Sequence, residues 1–153
     1  MNRTREQRTS TASAAAAAVA DTAELLEILF EGTRDTSARP LSTSQVRAVV
    51  ALDRHGEMNL RTLADVLGST PPLASRLCDR LEAVGFLERR PSSTSGRELA
   101  LRLSARGNAY LQDLRARRRQ RLHSLLAGLS QEERTALTTG LRALHAAAEQ
   151  TSD

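Results

Sequence analysis

The side chains able to act on a partner gather in one stretch, Ser69 to Arg90, which reads STPPLASRLCDRLEAVGFLERR. Cys78 is a nucleophile or redox switch only if its thiolate can form and be reached. Arg76 and Arg80 carry planar forks that take guanine O6 and N7 as a pair or grip a phosphate. Ser75 supplies a hydroxyl for a base edge or a phosphate, and Ser69, Thr70 and Pro72 stand at the entrance of the same segment. The chemistry on offer is therefore either that of a thiol or that of a surface that grips nucleic acid.

Helical spacing separates the two. Ala74, Leu77, Cys78 and Leu81 fall at i, i+3, i+4 and i+7, an apolar stripe that faces a core and takes the thiol with it. A thiol in such a place has a raised pKa and poor access, so Cys78 is expected to pack rather than react. The opposite side carries Pro72, Ser75, Arg76, Asp79, Arg80 and Ala83. Alone, that side would equally suit a solvated helix face with Arg76 paired to Asp79 and Arg80 to Glu82.

Other chemistries find little support. The single cysteine forms no internal disulfide and has no partner at metal-ligand spacing, while His55, His123 and His145 are scattered. There is no glycine-rich phosphate loop after a strand and no evident carboxylate dyad. Neither an enzyme nor a cofactor or metal is expected. No apolar run approaches the length that spans a bilayer, and the arginine- and alanine-rich start merges into an amphipathic pattern, so a cytoplasmic protein without a membrane partner is expected.

The elements that must position these residues follow from caps and periods. From about Ala14 to Glu31, alanines with Val19, Leu25, Leu26, Leu29 and Phe30 predict a helix, preceded by a flexible tail over 1–13. Ser42 and Gln45 form a capping box for a helix holding Val46, Val49 and Val50 and stopped by Gly56. Leu60, Leu63, Ala64 and Leu67 make a two-turn helix ended by Gly68; Ser69 or Thr70 then caps a helix with Pro71 at its first position, running to Gly85. Two helices across a Gly-Ser-Thr turn outline a helix-turn-helix. FLERR and LALRL flank the turn-rich PSSTSGR and predict a hairpin, with Leu99, Leu101 and Leu103 on one face. Ser104 caps a helix to about Gly128, and Ser130 with Glu133 opens a last one.

Composition agrees with a nucleic-acid partner without requiring one. The 153 residues carry a net charge of +4, and every Lys+Arg residue is arginine, a bias that GC-rich coding also explains. Aromatics make up 2% of the chain, so the core must be aliphatic and mainly helical. Between Gly68 and Arg106 stand seven arginines (76, 80, 89, 90, 97, 102 and 106) against four acidic residues, which places most of the net charge on the helix-turn-helix and hairpin. Arg97, at the Ser/Gly-rich hairpin tip, is positioned to reach an adjacent minor groove. The run RARRRQR spreads its arginines around more than half of a helix, which suits a solvated helix more than a DNA stripe.

With the pattern LRTLADVLG, then SRLCDRLEAVGFLERR, then GRELALRLSARGNAYL, the chain resembles the MarR family of winged helix-turn-helix transcriptional regulators over about Leu41 to Leu111. The resemblance implies a mainly α fold with a small β-hairpin wing. It implies an N-terminal dimerisation helix and loop over 14–40, a winged DNA-binding lobe over 41–104 and C-terminal dimerisation helices over 105–150. It further implies a homodimer on a pseudo-palindromic operator in double-stranded DNA, acting as a repressor and released by a small-molecule effector or an oxidant. At matching positions, Ser75 and Arg76 with their neighbours would read the major groove, and Arg97 would be the wing arginine. The family usually carries Asp where Ser95 stands here, and the scarcity of aromatics leaves the effector class and its site open. The competing reading is a helical protein-interaction module that has kept the scaffold without specific DNA binding.

Overall fold

The computed structural model describes residues 2–34, 41–92 and 99–151, in the order α1 (Asn2–Arg34), α2 (Thr43–His55), α3 (Leu60–Leu67), α4 (Pro71–Ala83), β1 (Leu87–Pro91), β2 (Leu99–Leu103), α5 (Ala105–Leu126) and α6 (Gln131–Thr151). It divides into one unit over 1–114 and a second over 115–153. The mainly α fold with a two-stranded hairpin agrees with the sequence reading.

Local chemistry accounts for most element ends in the first unit. Ser42 and Gln45 complete a reciprocal capping box on α2, the Ser42 amide donating to Gln45 Oε1 at 2.9 Å and the Gln45 amide to Ser42 Oγ at 3.3 Å. Asn59 caps α3, accepting from the Thr62 amide at 2.9 Å, and Gly68 closes it in the left-handed conformation at φ +60°. Thr70 occupies the N-cap of α4 but makes no side-chain cap bond; Pro71 at the first helical position needs no partner for an amide hydrogen it lacks. Helix α1 begins at Asn2, upstream of the expected Ala14, consistent with the high helix propensity of the alanine tract that follows.

The core is the aliphatic cluster anticipated from composition. Leu63, Leu81, Leu101, Leu111, Leu114, Val49 and Cys78 are fully buried and bring α2, α3, α4, β2 and the first half of α5 together. Each such leucine is worth about 2–5 kcal/mol against truncation to alanine.

The hairpin pairs Leu87 with Leu103, Glu88 with Arg102, Arg89 with Leu101 and Pro91 with Leu99. Its anchorage holds a feature that the pattern did not reveal. Met58, between α2 and α3, forms an isolated antiparallel bridge to Leu101, its amide donating at 3.2 Å and its carbonyl accepting at 2.7 Å. The strand β2 thus has a partner on both edges at Leu101. Of the three leucines expected on one face, Leu101 is buried and Leu103 half-buried, but Leu99 is 59% exposed, because it lies at the outer end of the hairpin opposite Pro91.

The hairpin passes into α5 through a tight junction. Ser104 Oγ accepts from the Gly107 amide at 2.9 Å and donates to the Gly85 carbonyl at 2.6 Å, while the Ser104 amide donates to the Phe86 carbonyl at 3.1 Å. Gly107 lies so close to the Phe86 carbonyl that a Cβ would collide with backbone.

In the second unit, α6 starts at the expected capping box: the Ser130 amide donates to Glu133 Oε2 at 2.7 Å and the Glu133 amide to Ser130 Oγ at 3.2 Å. These bonds hold the Glu133 carboxyl below its ordinary pKa. Leu137, Leu141 and Leu144 recur along α6 and are 40–55% exposed.

Candidate nucleic-acid interface

Helix α4 presents two flanks of different character. Ala74, Cys78 and Leu81 face the core, as their spacing requires. Pro72, Arg76 and Arg80 are exposed, and so is Leu73, which the sequence reading passed over. Leu73, Arg76 and Arg80 stand at i, i+3 and i+7, so a 56% exposed leucine continues the arginine stripe at the N-terminal end of the helix. The same spacing rule, applied to the outer face as well as the inner one, would have found it. Ser75 and Ser69 are half-buried and Thr70 is exposed. Ser95 and Arg97 lie outside the described residues.

The acidic residues of α4 are engaged elsewhere than expected. Asp79 and Glu82 do not pair with Arg76 or Arg80. Arg89 of β1 reaches across to both, with Nη2 at 2.5 Å from Asp79 Oδ1 and Nη1 at 2.8 Å from Glu82 Oε2. These carboxylates hold the Arg89 pKa above its ordinary value, Asp79 contributing most through its hydrogen bond. One guanidinium therefore ties the first wing strand to the helix and offsets part of the charge that would repel a polyanion.

A second network lies within the hairpin. Glu88 Oε2 accepts from Arg102 Nε at 3.2 Å and Nη2 at 3.1 Å across the strand pair, and from Arg90 Nε at 3.0 Å. The Arg102 hydrogen bond first, then Arg90, hold the Glu88 carboxyl below its ordinary pKa. Arg106 stacks over the Phe86 ring, 5.5 Å from its centroid.

The six described arginines of this stretch thus sort by environment. Arg89, Arg90 and Arg102 pair with acids of the lobe itself and Arg106 covers an aromatic ring. Among the described residues no ion pair engages Arg76 or Arg80, which leaves the α4 stripe as available positive charge.

The alternatives close on the same geometry. Cys78 is fully buried, and burial pushes its thiol up to about 11, with the Arg89 charge opposing and Asp79 and Glu82 reinforcing the rise. Almost no thiolate forms near neutrality. Among the described residues no group of three His, Cys, Asp or Glu could hold a metal ion, and no helix is long and apolar enough to cross a membrane.

Known proteins share both the pattern and the fold. The sequence pattern of the MarR family matches residues 40–98. A helix-turn-helix-type transcriptional regulator of Mycobacterium bovis, Mb0904, is 32% identical over 98 residues, spanning 64% of this chain and 68% of that protein. The crystal structure of RV1404 from Mycobacterium tuberculosis has 30% identity and a TM-score of 0.75, over 85% of this chain and 89% of that one. FabT of Streptococcus pneumoniae, solved in complex with DNA, has the same fold at 18% identity and a TM-score of 0.64, over 86% of this chain and 92% of its own.

Proposed function

The chain belongs to the MarR family of winged helix-turn-helix transcriptional regulators, and we propose that it acts as a homodimer that recognises a pseudo-palindromic operator and represses by occupying it. Members of the family are transcriptional regulators rather than enzymes, and the winged helix is their DNA-binding element. The observation that carries the finer reading is the outward face of α4: Arg76 and Arg80 stand exposed on one stripe without an ion pair among the described residues, while neighbouring Asp79 and Glu82 share the guanidinium of Arg89. A stripe of exposed guanidinium groups whose acidic neighbours pair with a third arginine is suited to a groove flanked by phosphates.

In this reading, Arg76 takes a guanine edge in the major groove and Arg80, one turn later, the backbone. Thr70, Pro72 and Ser75 border the first turn of α4, where a recognition helix meets bases. Arg97 and Ser95 are assigned the contact with the adjacent minor groove. The complex of FabT with DNA supports duplex DNA as the partner of this fold. Two-fold symmetry of the protein requires two half-sites about one helical turn apart.

The leucines of α6 support the dimer. Leu137, Leu141 and Leu144 form a row left in water by the single chain, which a second copy would cover. Release by an effector completes the regulatory cycle.

A gel shift with the protein's own upstream region tests the assignment. Arg76→Ala and Arg97→Ala are each expected to weaken binding; full affinity and specificity in both variants would refute the assigned contacts.

A further inference from the structure

We propose that a notch between α2 and the α3–α4 turn is a seat for one backbone phosphate of the bound duplex, formed by Ser44, Arg47 and Ser69. The proposal rests on the DNA-binding reading and adds a site on a helix outside the helix-turn-helix pair.

The notch has a volume of about 190 Å³ and is lined by Ser44, Arg47, Leu67, Gly68, Ser69 and Leu77. Arg47 is exposed, and its Nη2 donates to the Leu67 carbonyl at 3.2 Å, which pins the guanidinium over the C-terminal end of α3. That bond uses one of the five N–H donors of the fork, and no ion pair engages Arg47 among the described residues. Nor does any intramolecular hydrogen bond among them occupy the side-chain hydroxyl of Ser44 or Ser69. A cation held in place and two vacant hydroxyls around a recess of this size match the acceptor oxygens of a phosphate.

The backbone around the recess is also suited to close approach. Gly68, at φ +60°, has nothing within 4 Å of the position a Cβ would take, so the turn presents open space rather than a side chain. Ser44 lies in the first turn of α2, where amide hydrogens and the helix dipole favour an anion. Ser69 precedes the first residue of α4 by two positions. A phosphate held there would fix where the first turn of α4 enters the groove, a positioning contact that carries no base information of its own.

The experiment measures equilibrium binding of a duplex selected by the wild-type protein and of a scrambled duplex, across a range of salt. Variants are Arg47→Gln, Arg47→Lys and the Ser44→Ala/Ser69→Ala pair, with Arg76→Ala as contrast. The expected result is that Arg47→Gln weakens both duplexes by the same factor and flattens the salt dependence by about 0.9 in slope for each lobe on the DNA, with Arg47→Lys keeping the slope. A loss of folded protein would lower the active fraction without changing that slope, which separates the seat from a merely structural role of the Leu67 bond. An unchanged slope, or a loss confined to the selected duplex, would overturn the seat. Saturable binding of inorganic phosphate to the free protein at submillimolar concentration, seen at the Ser44 and Ser69 amides by NMR, would instead assign the notch to a free anion and overturn it as a DNA contact. Wild-type protein that binds neither duplex would overturn the DNA reading itself.

Discussion

Arg89→Ala removes a side chain that joins the first wing strand to α4 by ion pairs. The two bonds it breaks are short, 2.5 Å to Asp79 and 2.8 Å to Glu82, but the side chains are 28%, 56% and 42% exposed respectively, so solvent screens them. Exposed pairs are worth about 0.2–1 kcal/mol each, and two carboxylates on one fork put the sum near 1 kcal/mol. For a chain of this size that corresponds to a fall in Tm of about 2–4 °C. The variant also leaves two carboxylates without their shared cation beside the Arg76–Arg80 stripe, so duplex affinity should fall by more than the lost stability explains. Thermal unfolding of Arg89→Ala, Asp79→Ala and the double variant, at low salt and near 1 M, gives the coupling energy directly. A coupling of about 0.5 kcal/mol or more that fades in high salt is expected. A coupling below about 0.2 kcal/mol, together with wild-type duplex affinity in Arg89→Ala, would refute the tether.

Other outcomes follow from single contacts. Gly107→Ala forces a Cβ against the Phe86 carbonyl at the wing–α5 junction and should cost at least about 2 kcal/mol, measurable by chemical denaturation. Cys78, with its thiol raised from 9.0 to about 11, should form about a hundredfold less thiolate at pH 8 than an unperturbed thiol, so it should label with Ellman's reagent only as the protein unfolds, and peroxide should leave DNA binding unchanged. The same shift predicts a stability contribution present below pH 9.0 and lost as pH rises toward about 11, absent in Cys78→Ala. Glu88 has the opposite sign: its folded pKa is depressed, so its contribution is present above pH 4.5 and lost as pH falls through the lowered value, and Glu88→Gln should flatten that part of an acid titration of stability.

What the sequence disclosed was local. Ser42 with Gln45, Ser130 with Glu133, Gly68 and Pro71 mark helix ends because capping acts over three or four residues and leaves its signature in the residue types. The buried side of α4, Cys78 included, followed from a period of 3.6. The missed features depend on residues distant in sequence. Arg89 with Asp79 and Glu82, Arg47 with the Leu67 carbonyl, and the Met58–Leu101 bridge each join separate elements, and no spacing rule selects one arginine or methionine from the others for such a contact. The candidate site was accordingly half legible. Its inward side and the exposure of Arg76 and Arg80 came from periodicity, whereas the pairing of the acidic flank with Arg89 and the notch beside α2 emerge only from packing.

In the proposed function the outward face of α4 reads duplex sequence. Selection from a random duplex library by the wild-type protein and by Arg76→Ala tests it most directly. A two-fold symmetric motif with half-sites about one helical turn apart is expected, with loss of information at a defined base pair in each half-site for the variant. Recovery of no enriched motif, or of the same motif with undiminished information by Arg76→Ala, would contradict it.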